Sequence, residues 1–129
     1  MAYRFFEGAE NCCRKKKFII LNFSGSDWCV PCIRTKKEIF DTETFVEYSS
    51  QQLVLVNADF PRLKKNKLNQ TQVKDNEALA EKYNPGGTFP LTLLLTADGT
   101  IVKRWEGFPN VSSAVFVQEI KNAIDAAGQ

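Results

Sequence analysis

The segment Phe18-Ile19-Ile20-Leu21-Asn22-Phe23-Ser24-Gly25-Ser26-Asp27-Trp28-Cys29-Val30-Pro31-Cys32 sets an apolar run, a polar breaker and a C-x-x-C side by side. Phe18 to Phe23 is short and almost unbroken, the pattern of a strand covered on both faces, and Ser24 to Asp27 ends it. The C-x-x-C therefore follows a buried strand. A thiol attacks a disulfide as thiolate, and the free N–H groups and dipole of a helix start favour that form at Cys29. Cys32 lies one helical turn further on the same face, within reach of a mixed disulfide at Cys29. Pro31 is tolerated because N–H groups of a first helical turn have no partner to lose.

Working outward, Ala2 to Lys17 reads as a helix whose basic end, Arg14 to Lys17, suits the negative pole of a helix dipole. Beyond the C-x-x-C, Ile33, Lys37 and Phe40 stand at helical spacing. Asp41-Thr42-Glu43-Thr44 interrupts that helix, and another can restart at Phe45. Leu53 to Asp59 is a second buried-type strand. A helix is placed at Asn76 to Tyr83, which leaves Phe60 to Asp75 as an enlarged connection, functional or mobile. Leu91 to Leu95 and Ile101 to Trp105 flank an Asp98-Gly99 turn and form an antiparallel pair. A last helix begins near Ser112, with Phe116, Ile120 and Ile124 on one stripe. Parallel neighbours need crossovers and the last pair does not, so this order implies an α/β sandwich with a central mixed sheet.

The 129 residues fit one compact domain, and ten Phe supply apolar area for its core. Seventeen basic against fifteen acidic residues leave a formal charge of +2, too little for a general nucleic-acid or membrane binder. No run approaches the ~18 apolar residues of a membrane span, and the first residues lack a signal-peptide pattern. Either the protein is cytosolic or an export signal has been removed. Four cysteines are too few for a disulfide-built scaffold, and they fall into an adjacent pair, Cys12-Cys13, and the C-x-x-C.

C-x-x-C is also half of a zinc site, but the chain has no His. Cys12 and Cys13 are poorly disposed to complete a tetrahedron, so no metal or other cofactor is expected. An inert buried pair of cysteines is the remaining bland reading. Neighbours on a helix point about 100° apart, so Cys12 and Cys13 are not expected to form a second redox pair. One is expected to pack and the other to be partly exposed. Arg62, Lys64, Lys65, Lys67 and Lys74 give the long connection a basic cluster, either a solvated loop or a surface for an acidic partner.

Trp28-Cys29-Val30-Pro31-Cys32 after a buried strand, and Gly87-Thr88-Phe89-Pro90 before another, resemble the active-site motif and the cis-proline loop of the thioredoxin superfamily. The resemblance covers nearly the whole chain and implies a thioredoxin-like three-layer sandwich over residues 1–129. Within the superfamily the chain resembles bacterial extracytoplasmic thioredoxin-like reductases, the chlamydial periplasmic type among them. These carry a similar Ser-Asp-Trp-Cys segment and a similar Asp-Phe-Pro start to an enlarged loop. It implies Cys29 as nucleophile, Cys32 as resolving thiol, and Trp28, Phe89 and Pro90 as substrate contacts. Phe89-Pro90 would be the cis element against which an extended chain pairs, where the plainer alternative is a trans proline opening an edge strand.

Val30-Pro31 is the dipeptide that tunes the potential. It resembles the reducing end of a range from about −270 mV to about −120 mV. Expected partners are protein disulfides of exported proteins and an upstream reductase, with the chain acting as a monomer in the periplasm or another extracytoplasmic space. Isomerase activity is a further possibility. The rival is a binding module on the same fold with a vestigial dithiol. The chain departs from thioredoxin where that protein keeps a buried acid and a lysine: the matching positions are Asn22 and Leu55, and neither titrates. Asp27, the nearby carboxylate, is expected to be a solvated loop residue.

Overall fold

A computed structural model of the chain describes residues 17–127. The expected N-terminal helix, with Cys12 and Cys13, lies outside the described residues. Strand β1 (Phe18–Ser24) leads to helix α1 (Val30–Thr35) and a π-helical turn (Lys36–Phe40). Helix α2 (Glu43–Gln52), strand β2 (Leu53–Asp59), a 3₁₀ turn (Lys64–Asn66) and helix α3 (Gln70–Tyr83) follow. Strands β3 (Leu91–Leu95) and β4 (Ile101–Glu106) and helix α4 (Ser113–Ala126) complete the order.

The sheet runs β2-β1-β3-β4. β1 and β2 are parallel, while β3 is antiparallel to both β1 and β4. This is the expected mixed sheet. Every residue of β1 is buried, because successive side chains enter opposite cores. Ile19, Leu21 and Phe23 join Leu79 and Tyr83 of α3 on one face. Phe18 and Ile20 join Phe45 of α2 and Phe116 and Ile120 of α4 on the other. Each fully buried side chain of this size contributes about 1.5–3 kcal/mol over leaving it exposed. Helices on both faces make three layers, as expected.

Helix α3 starts six residues before the expected Asn76. Asn69 caps it: Gln72 N–H donates to Asn69 Oδ1 at 2.8 Å, and Asn69 N–H donates to Gln72 Oε1 at 3.2 Å. This reciprocal box satisfies two helix-start donors without any apolar signal. The enlarged loop is correspondingly shorter than expected, and Lys74 stands on α3. After the C-x-x-C, the apolar face also differs. Ile33 is 46% exposed, whereas Ile39 and Phe40 are buried, since both lie within the wide π turn, which sets its residues off the simple helical register.

Candidate active site

The site is built on the turn between β1 and α1. The N–H groups of Trp28 and Cys29 both donate to the Gly25 carbonyl, at 3.2 and 2.9 Å. A Cβ on Gly25 would overlap the indole of Trp28, so only glycine lets that ring lie over the turn. Cys29 is the N-cap of α1, its Sγ accepting from Cys32 N–H at 3.3 Å, and Pro31 sits in the first turn as expected. Cys29 and Cys32 are joined by a disulfide, with Cα atoms 5.2 Å apart. Val30, at 74% exposed, stands out beside them, while both cysteines are buried.

The two sulfurs have different surroundings. Cys29 Sγ caps the helix, whereas Cys32 Sγ accepts from Gly25 N–H at 3.4 Å. Cys32 also helps line a cavity of about 510 Å³ whose polar lining includes Asn22, Ser24 and Asn57 as well as Lys36 and Asp41, with Leu55 among its apolar residues. Asn22 is buried, accepts from Thr92 Oγ1 at 3.1 Å and donates to Asn57 Oδ1 at 3.4 Å. The parallel register sets Asn57 opposite Asn22, and Leu55 opposite Ile20. Both sequence-selected positions are thus neutral, and the direct partner of Asn22 is an amide.

β3 enters the sheet with Leu91 paired to Phe23, which brings the preceding Phe89-Pro90 to the end of the sheet that carries the cysteines. The Phe89–Pro90 bond is cis. Asn84 clasps the approach to it, donating to the Thr88 carbonyl at 2.8 Å and accepting from Thr88 N–H at 2.9 Å. Trp28 and Phe89 meet edge to face with centroids 5.6 Å apart, and Phe60 meets Phe89 at the same separation. Edge-to-face contacts of this kind add about 0.5–1.5 kcal/mol beyond area burial.

Asp27 is not merely a solvated carboxylate. It accepts from the N–H groups of Arg62 and Leu63 at 2.9 and 3.0 Å and from Asn66 Nδ2 at 3.0 Å. The Arg62 N–H bond first, then that from Asn66, hold its carboxyl below the ordinary carboxylate value. The segment after β2 is therefore latched to the residue two before Cys29. Trp28 reinforces the latch: its Nε1 donates to the Phe60 carbonyl at 2.7 Å, and the Arg62 guanidinium lies 3.7 Å from its ring centroid. Asp59 ties down the other side, accepting from Ser26 N–H at 2.9 Å and Ser26 Oγ at 2.6 Å.

The thioredoxin-like domain family, compared with the chain as a profile, matches residues 9–124. This chain belongs to the thioredoxin-like family. Disulfide bond reductase DsbH of Chlamydia pneumoniae is 32% identical over 120 residues, which span 93% of this chain and 70% of that protein. A solved structure of DsbH oxidoreductase superposes with a TM-score of 0.87 at 30% identity, covering 97% of this chain and 84% of that one. A thioredoxin from Thermus thermophilus superposes at 0.70 with 15% identity, covering 98% and 88%, and shares the fold alone.

On this thioredoxin-like scaffold, Trp28, Cys29, Val30, Pro31, Cys32, Phe89 and Pro90 gather at one end of the sheet. Gly25, Phe60, Asp59 and Asn57 were not singled out as site residues from the sequence, and Arg62 was named only as part of the basic cluster. A glycine two residues after a strand, and an aromatic opening the segment after β2, were the available signals. Among the described residues, no group of His, Cys, Asp or Glu converges to hold a metal ion. No described helix is long and apolar enough to cross a membrane.

Proposed function

We propose that residues 1–129 form a single thioredoxin-like domain that reduces disulfides of exported proteins through Cys29 and Cys32. The observation that carries the reading is the Cys29–Cys32 disulfide, closed at the first turn of α1 with Cys29 as its cap. Likeness to a disulfide bond reductase supports the direction of electron flow.

In the dithiol form, the Cys29 thiolate attacks one sulfur of a substrate disulfide. A Cys29–substrate bond forms, the substrate S–S bond breaks, and one substrate thiolate leaves. Cys32 gives its proton to that departing thiolate and attacks Cys29 Sγ, which releases the second substrate sulfur and closes Cys29–Cys32. Two electrons pass from the dithiol to the substrate, and an upstream reductase returns them. Phe89-Pro90 and Trp28 border the approach, where an extended substrate pairs its backbone and rests on the aromatic surface. Val30 and Pro31 tune the potential between the two sulfurs.

Protein disulfides and redox partners fit the family. We place the work in the periplasm, with the chain acting as a monomer. The deciding measurement is the Cys29–Cys32 potential in a glutathione buffer together with insulin reduction. A value near that of thioredoxin, about −270 mV, supports a reductase, and one near about −120 mV makes the protein an oxidant.

A further inference from the structure

Residues 60–74 carry five of the chain's seventeen basic residues and none of its fifteen acidic ones. The remainder of the chain is therefore net negative, and the positive balance resides in this stretch. Arg62, Lys64, Lys65, Lys67 and Lys74 are all exposed. Among the described residues, none of them forms an ion pair with a carboxylate within 4.0 Å.

A charged loop is ordinarily a solvated one, but this loop is fixed in place. Asp27 receives two of its backbone N–H groups and the Asn66 amide. Trp28 binds the Phe60 carbonyl, and Phe60 N–H donates to the Ser24 carbonyl at 2.9 Å. A 3₁₀ turn spans Lys64–Asn66, and the Asn69 box closes the far end. Ser24, Asp27 and Trp28 all lie in the stretch that leads to Cys29, so the backbone that carries the charges is tied to that turn. The carboxylates that anchor the loop, Asp27 and Asp59, are turned into N–H and hydroxyl donors.

We propose that Arg62, Lys64, Lys65 and Lys67 form a docking rim for polypeptides that carry acidic residues next to the disulfide being reduced. The inference rests on the reductase reading and adds the substrate class. An anionic segment lying against the rim would leave its cystine over the Trp28 and Phe89 surface. Charge complementarity at such a rim acts mainly on encounter, and it weakens as salt screens it.

The test uses pre-reduced protein in single turnover. The probes are two short peptides of the same order, with Glu or Gln on both sides of one cysteine capped by 2-mercaptoethanol as a disulfide. The Glu peptide is expected to react about tenfold faster at low ionic strength, with the advantage collapsing near 1 M salt, where the Debye length is about 3 Å. The triple substitution Lys64→Glu, Lys65→Glu and Lys67→Glu is expected to invert the Glu-to-Gln ratio, in which any general change in thiol reactivity cancels. Equal rates for the two peptides, in protein that reduces hydroxyethyl disulfide, would overturn the rim and leave the reductase standing. Failure to reduce hydroxyethyl disulfide would overturn the reductase. Binding of the matching peptides with Ser in place of Cys then judges the rim without the chemistry: tighter binding of the Glu peptide supports it, and equal affinity removes it.

Discussion

Asp27 and Asn66 lie far apart in sequence, yet Asp27 Oδ2 accepts from Asn66 Nδ2 at 3.0 Å, beside its bonds from the Arg62 and Leu63 N–H groups. The loop after β2 and the turn before Cys29 are therefore one mechanical unit, and each can be perturbed through the other.

The Asp27 carboxyl is held below its ordinary value, chiefly by the Arg62 N–H. A depressed folded-state pKa gives a contribution that is fully present above the unfolded value of about 3.9 and is lost as pH falls through the folded one. Amide exchange at Arg62 and Leu63 should thus gain opening events on acidification below about pH 4. Asp27→Ala should show that loosened exchange at neutral pH and no further acid response. An unchanged acid response in Asp27→Ala would assign it to another carboxylate.

Cys29→Ser should abolish insulin reduction, and Cys32→Ser should perform the first attack and accumulate a mixed disulfide, because Cys29 occupies the cap and Cys32 the inner turn. Mass spectrometry of the trapped adducts decides. Adduct on Cys32 in the Cys29→Ser protein, with none in Cys32→Ser, would reverse the roles.

Asn22 and its partner Asn57 are neutral amides in the cavity wall shared with Cys32, and the charged groups of that wall, Lys36 and Asp41, are exposed and paired with each other. The dithiol should therefore titrate without coupling to a buried acid. Asn22→Asp should raise the apparent pKa of the neighbouring thiol, since an anion disfavours a second anion nearby. Thiolate absorbance against pH reads both proteins. Two thiols titrate in two steps by themselves, so the comparison between the proteins decides: a curve unmoved by the substitution would show that position 22 is not coupled to the dithiol.

Gly25→Ala should displace the Trp28 indole, whose ring occupies the space a Cβ would need. The expected loss is about 1–3 kcal/mol of stability, typical of overpacking, with slower insulin reduction. Denaturant unfolding and the turnover assay together check it, and a fully stable, fully active variant would show that the ring can move without consequence.

Much of this arrangement was legible from the chain. The apolar runs gave β1, buried on both faces, and β2, whose bounds match from Leu53 to Asp59 and whose alternate residues Leu55, Asn57 and Asp59 are half-buried. The cis bond before Pro90 was legible through family likeness, since local chemistry alone allows trans. The start of α3 was hidden. Gln70 to Asp75 is a polar stretch with a single apolar side chain, Val73, and the helix begins there because Asn69 and Gln72 cap each other. Asp27 is the solvent-facing loop residue expected, but its latch was hidden for a different reason: its partners are mainly backbone N–H groups of a distant segment, and such donors leave no mark on residue identity. The neutrality of Asn22 was visible, whereas its pairing with Asn57 depends on strand register.

The two tryptophans give the molecule separate optical reporters. Trp105 is packed against Phe116 with centroids 4.7 Å apart, and its Nε1 donates to Glu119 at 2.9 Å, so its emission follows the integrity of the core. Trp28 adjoins Cys29 in sequence, where a disulfide quenches an indole by accepting an electron from its excited state, and it lies beneath the Arg62 guanidinium, whose charge sets the energy of its emission. Opening the disulfide should brighten Trp28 and leave Trp105 unchanged. Displacing Arg62 from the ring should shift the wavelength of Trp28 emission, so fluorescence from one side chain records electron transfer by its intensity and substrate docking by its colour.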